Sequence, residues 1–275
     1  MGSITLIMAF LTTATYCISL APGSLPGPLA ISPKTSIPIA KPPKPTPRLE
    51  PKPPPGTPYW YDPRIHVWGN IGWRGRIHAT MAPLATYMID HLSYAGQDVR
   101  KQAHSMIDAS ESVLDLCCGV GFSTIPGATG VDTSREMLDM ARFVRRDADF
   151  QFGNAETFGD SESYDVVTVM YACHEMPADA RRRVVRNALR VAKKSVIIVD
   201  IHPGFERLLR EKPMQGASFL AGEPYVLDYL AKMDSDVFSS VPGHMRFGAW
   251  GFNGWQPRRI TMIDERVVMY RIDRI

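Results

Sequence analysis

The residues most suited to ligand chemistry lie in one short run, VLDLCCGVGFSTIPGATGVDTS, from Val113 to Ser134. An apolar segment ends in Asp115, a turn containing Gly119 and Gly121 follows, and a second apolar segment ends in Asp132. In an open parallel sheet, ligands bind beyond the carboxyl ends of the strands, where strand order reverses. Glycine there lets the backbone approach a ligand with no Cβ in the way, and a carboxylate ending the second strand can accept both hydroxyls of a ribose. The dinucleotide fingerprint would need a third glycine, but from Gly119 the chain reads Gly, Val, Gly, Phe, Ser, Thr. A full helix N-terminus to cradle a pyrophosphate also lacks room before the next strand.

A second cluster follows a later apolar run. YDVVTVM, Tyr164 to Met170, leads into Tyr171 and then His174-Glu175. An imidazole with an ordinary pKa near 6.5 suits proton removal from a thiol, amine or acidic hydroxyl; capping of the helix at Pro177 is the alternative role for Glu175. HEMPA has no second His four residues on, so zinc-protease chemistry is not indicated. No CxxC or Cys/His spacing marks a structural metal among the 4 cysteines.

The elements that must position these groups follow from periodicity. Strands are expected over 112–116, 128–131, 149–152, 164–170 and 195–199, with helices over 134–146 and 177–192 between them. Strand and helix alternation is the pattern of a parallel sheet covered on both faces. Two helices precede the first strand, one over 79–93 and one capped by Asp98 and running to about Ile107. Two further strands, 259–263 and 267–272, flank a turn at Asp264-Glu265 and close the sheet with an antiparallel pair. The run Arg181-Arg182-Arg183 reads as a solvated helix face.

With these elements placed, the stretch from about Ser112 to Asp200 resembles the class I S-adenosylmethionine-dependent methyltransferases, closest to those acting on small molecules. VLDLCCGVG resembles their first motif, GVDTSREMLDMAR their second strand and helix, FQFGNAETF their adenine-facing loop and SYDVVTVMYACHEMP their fourth strand. The resemblance implies a doubly wound, mostly parallel, seven-stranded α/β sheet of Rossmann-like type, and S-adenosyl-L-methionine as cofactor. It places Asp115, Cys117, Gly119 and Gly121 at the methionine end and Asp132 on the ribose. Thr133 and Met137 would pack around ribose and adenine, Asn154, Ala155 and Glu156 would face the adenine, and Tyr171 would close the pocket near the sulfonium. The catalytic candidates are then His174, Glu175 and Tyr171. Candidates for substrate binding are His66, Trp73 and His78, in an ordered loop over 64–79 that folds over the cofactor or packs as a strap, and Tyr225. Two departures stand out. Cys117 occupies a family glycine position, and the first crossover is so short that its helix would be about one turn.

A non-catalytic methyltransferase-like scaffold and an NAD-dependent oxidoreductase are the competing readings. The net charge of +3 is too mild for a nucleic-acid footprint, and no Asn-Pro-Pro-Tyr run follows the fourth strand. A small methyl acceptor is therefore the expected partner, with no nucleic acid and no membrane for the folded part.

Ahead of the methyltransferase domain, expected over 59–275, composition changes sharply. Residues 4–21 form an uncharged, mostly apolar run, and prolines crowd 22–58. No Asp or Glu occurs before Glu50, while Lys34, Lys41, Lys44 and Arg48 do. The reading is an apolar targeting segment over 1–21 and a Pro-rich linker over 22–58, resembling the two-part presequences that lead through the secretory route to a plastid. A membrane anchor on an extended stalk is the alternative.

Overall fold

The computed structural model describes residues 56–65, 69–94, 96–205, 224–243 and 254–275. The Pro-rich linker up to residue 55, the apolar segment and His66 lie outside these. In chain order the elements are a 3-10 turn Tyr59–Tyr61, α1 Gly72–Met88, a π turn Ile89–Ser93, α2 Val99–His104, β1 Val113–Leu116 and β2 Thr129–Asp132. They continue with α3 Arg135–Val144, β3 Asp149–Phe152, β4 Tyr164–Met170, a 3-10 turn Cys173–Glu175, α4 Ala178–Val191 and β5 Ala192–Ile201. The last are α5 Val226–Ser240, β6 Trp255–Ile263 and β7 Val267–Arg274.

The strands form one seven-stranded sheet in the order β3-β2-β1-β4-β5-β7-β6. β1 to β5 are parallel, and β7 runs antiparallel to both β5 and β6. Strand order reverses between β1 and β4, so their carboxyl ends open the crevice expected of a doubly wound sheet. Alternate residues of the central strands are buried on opposite faces, which is why they read as unbroken apolar runs. Leu114, Leu116, Val167, Val169, Val196 and Ile198 meet α4 and α5 through Val184, Val185, Ala188, Val226 and Met233. On the other face Val113, Val166, Met170, Ile197 and Val199 meet Tyr94 and α2 residues Val99 and Ala103.

Three expectations need correction. The first crossover, 117–128, contains turns and no helix. Its place is filled from outside: Val120 and Phe122 pack with Ala79 and Ala82 of α1 and Met137 of α3, and Ile125 packs in the cluster that holds α2. α1 starts at Gly72, so the part of the glycine- and tryptophan-rich stretch from Gly72 onward, read as a loop, is helical. Arg181 is not on a solvated face. It is fully buried, with its guanidinium bonded to Asp236, Asp228 and the Met176 carbonyl, and so ties α4 to α5.

Candidate active site

The crevice is built at the tips of β1, β2 and β4. Cys117 follows β1 directly and has φ 59°. A left-handed backbone there explains why glycine suits this position, and a thiol bearer holds it under strain. Gly119, at φ 52°, is different: a Cβ added to it would meet nothing within 4 Å. Its surface faces open space, as a backbone approached by a ligand requires. Gly121 serves packing instead. Its Cβ would stand 2.7 Å from the Phe150 ring, and that of Gly130 on β2 2.8 Å from the same ring. Phe150 is paired in register with Gly130 and fills space under the crossover.

Asp132 ends β2 and accepts the Gly119 N–H at 2.9 Å and the Ser134 N–H at 2.8 Å, one on each oxygen. This pins the glycine turn to β2 and leaves a further lone pair on each oxygen. Burial, reinforced by the nearby Glu175 charge and offset by those amides, pushes the Asp132 carboxyl up to about 6. Asp115 is placed differently from expectation. Only 1% exposed, it turns into the sheet face and accepts the hydroxyls of Thr124 at 2.7 Å and Thr168 at 2.8 Å. Burial raises it too to about 6, against the pull of those hydroxyls. It braces the crossover on β4 and does not reach the crevice surface.

The opposite wall is the 154–156 loop. Asn154 spends its side-chain oxygen on the Glu156 N–H, 2.9 Å, and Ala155 is buried with its carbonyl bonded to Asn187. Glu156 gives one carboxylate oxygen to Arg183; the other is buried with no hydrogen-bond partner among the described residues. Thr133 lies half-buried beside Asp132. Met137 belongs to the apolar cluster with Ala79 and Val120. Tyr59 roofs the crevice: its pKa is raised by burial and then by neighbouring Cys117, Glu156 and Cys173, and its ring packs edge-on to that of Tyr225 at 6.4 Å.

Past β4, Tyr171 turns back under the sheet with φ 57°. Its ring stacks on Tyr94 at 6.2 Å and lies 4.7 Å from the Arg100 guanidinium carbon. It therefore joins the Asp115 side of the fold, and the crevice is left to Glu175 and His174. His174 is 4% exposed, and its Nδ1 lies 2.7 Å from Asp200 Oδ1. Asp200 also accepts the N–H groups of Cys173 at 2.8 Å, His174 at 3.3 Å and Ile201 at 2.7 Å. A carboxylate that accepts on both oxygens assigns the ring proton to Nδ1 and the basic lone pair to Nε2, which lies 4.0 Å from Glu175 Oε1. Asp200 was missed in the sequence, although it too ends an apolar strand, SVIIVD.

The strap holds the remaining candidates. His78 Nδ1 meets the Gly69 carbonyl at 3.2 Å and Asn70 Oδ1 at 3.1 Å, Ser134 donates to the Asn70 carbonyl, and Gly72 N–H donates to Glu136 at 2.8 Å. Trp73 is 70% exposed, outside this arrangement.

Among known proteins, residues 113–195 match the family described as methyltransferase domain. An uncharacterized methyltransferase, sll0829, of Synechocystis sp. is 36% identical over 106 residues, 35% of this chain and 50% of the relative. The chain therefore spans about half the length of that curated relative. Two solved structures are similar in part. Magnesium protoporphyrin IX methyltransferase from Synechocystis PCC 6803, with bound SAH, has a TM-score of 0.46 and 16% identity over 64% of this chain and 83% of its own. An S-adenosylmethionine-dependent methyltransferase from Mesorhizobium loti has a TM-score of 0.42 and 14% identity over 63% and 96%.

Proposed function

We propose that the chain is an S-adenosylmethionine-dependent methyltransferase acting on a small acceptor. The observation that carries this reading is Asp132 at the β2 tip beside the open surface of Gly119. A diol held by the carboxylate would lie directly over a backbone with no side chain. The fit extends further. The second Glu156 oxygen, buried with no hydrogen-bond partner among the described residues, is an acceptor suited to an adenine amino group. Cys117 and the shortened crossover leave this surface intact.

When bound, the cofactor supplies a methyl group already activated by its sulfonium charge. The chain's own work is to hold the acceptor in line, exclude water and take a proton where the acceptor carries one. Tyr59 and Tyr225 provide a roof that keeps water out. His174 is the base in this reading: Asp200 holds the ring by Nδ1, so Nε2 receives the proton and the resulting imidazolium lies between Asp200 and Glu175. The mild net charge supports a small acceptor over nucleic acid.

Calorimetry tests the cofactor. Binding of S-adenosylhomocysteine and not NADH is expected; binding of neither would make the fold a scaffold. Labelled cofactor with a panel of thiol, amine and phenol acceptors then identifies the accepting atom.

A further inference from the structure

The first crossover has no helix, and the space beside it is not fully closed. Thr86 of α1, Asp90 of the π turn, residues of α2 and Phe122, Thr124, Ile125 and Pro126 of the crossover line a cavity of about 340 Å³, within the roughly 300–1,000 Å³ usual for small-molecule pockets. Gly119, Asp132, Glu156 and His174 do not line it, so it is separate from the crevice. Its charges balance. Arg100, Lys101 and Arg145 line it together with Asp90 and Asp98, and Asp147, from outside the lining, holds Arg145 through Nε at 2.9 Å and Nη2 at 3.1 Å.

Several of these groups keep hydrogen-bonding capacity. Arg100 gives Nη1 to both Asp90 oxygens, 2.9 Å each, and Nε to Ser123 Oγ at 3.3 Å, while its Nη2 has no hydrogen bond among the described residues. Lys101 and Asp98 meet only through the Lys101 backbone N–H, 2.8 Å from Asp98 Oδ1. The Lys101 ammonium and Asp98 Oδ2 therefore have no partner among the described residues. His104 Nε2 lies 2.9 Å from the Ser123 carbonyl, which can only accept, so the ring proton sits on Nε2 and Nδ1 keeps a lone pair. Burial holds the pKa of this ring below its ordinary value, which keeps that lone pair in place at neutral pH. Phe122, Ile125 and Pro126 give the same cavity an apolar wall.

We propose that this cavity binds a free amino acid with an apolar side chain. Its carboxylate would accept from Arg100 Nη2 and the Lys101 ammonium, its own ammonium would donate to Asp98 Oδ2 and His104 Nδ1, and its side chain would cover the Phe122, Ile125 and Pro126 wall. The balance of charge selects a zwitterion. An anion alone would meet Asp90 and Asp98, and a cation alone would meet Arg100 and Lys101, in each case with like charges brought together. The proposal does not rest on the methyl-transfer reading.

The test is calorimetry on the full chain with L-leucine and L-phenylalanine, each compared with its amide, which lacks the carboxylate, and its N-acetyl derivative, which lacks the ammonium. Glycine serves as the member without an apolar side chain. At least one of the two amino acids is expected to bind, and its amide, its N-acetyl derivative and glycine at least about tenfold more weakly. Lys101→Ala should weaken that binding about fivefold or more with Tm unchanged, because the side chain is exposed and unpaired among the described residues. The His104 Cε1–H resonance should shift as the amino acid is added, which locates the site independently of any substitution. Failure of both amino acids to bind would overturn the proposal, as would equal binding of any of the analogues. Binding that neither Lys101→Ala weakens nor His104 registers would place the amino acid elsewhere on the chain and overturn it too. Displacement by S-adenosylhomocysteine, which carries an amino-acid end of its own, would assign the binding to the crevice and reject a separate site.

Discussion

Asp132 carries two structural hydrogen bonds and keeps acceptor capacity for a ligand, so its loss is expected to act twice. Asp132→Ala should weaken S-adenosylhomocysteine binding by at least about tenfold, about 1.4 kcal/mol, through the ribose contacts and through release of the Gly119 turn. An unchanged Kd in a folded variant would reject the assignment. His174 invites a finer test. His174→Ala is expected to lower turnover about 10²-fold on an acceptor that must lose a proton, and much less on one already deprotonated, with cofactor affinity intact. Asp200→Asn should reproduce this pattern in weaker form, because the amide offers one acceptor oxygen where the carboxylate offered two, shared among the ring and three backbone N–H groups. Equal losses across acceptors of different pKa would show that His174 only shapes the crevice. These residues differ in how visible they were in the sequence. The places of Asp132, Gly119 and His174 at strand tips were legible because each ends or follows an apolar strand. The roles of Asp115 and Gly121 were not, because they depend on Thr168 and Phe150, which only strand register brings near.

At the scale of elements, the strands, the helices Arg135–Val144 and Ala178–Val191 and the helix capped by Asp98 could be read from their patterns, but the cover over the first crossover could not. The start of α1 at Gly72 was misjudged because Trp, Gly, Arg and His in Gly72–His78 give no helical stripe when the buried side of a helix is made of small residues; the crossover was read as too short for more than one helical turn, and even that turn is absent. Arg181 was misread because a run of three arginines carries no sign of which one faces Asp236. Its network gives the clearest stability prediction. Asp236 is 2% exposed, and Arg181→Ala would leave it with Arg182 alone, at 2.7 Å. A loss of about 3 kcal/mol or more is expected, roughly 6 to 12 °C in Tm for a domain of this size. A Tm unchanged by the substitution would mean that Arg182 suffices.

For the whole molecule, Asp115 and Asp132 set a pH dependence. Both titrate near 6 in the fold and near 3.8 when unfolded, so between those values the folded chain binds more protons. Stability from this source is full below about pH 4 and is lost as pH rises through about 6. Asp165, held down to about 2 by Ser112, acts in the opposite sense and only at lower pH, so the windows separate. Tm should therefore fall between about pH 4 and about pH 6, and Asp115→Asn should flatten that fall; an unaltered slope would remove Asp115 as its source. We also propose that residues 1–58 are an address: placed ahead of a fluorescent protein they should carry it out of the cytosol, and a cytosolic fusion would reject this. The cover that α1 supplies has a consequence during synthesis. α1 leaves the ribosome before any of the sheet exists, while its partners Val120, Met137 and Glu136 lie some fifty residues further on. At about 5 to 20 residues per second the helix waits several seconds with both its faces unpaired. In that interval the nascent chain is a natural client for a chaperone, and slowing translation between Met88 and Val144 should lower the yield of folded protein more than slowing it after β5.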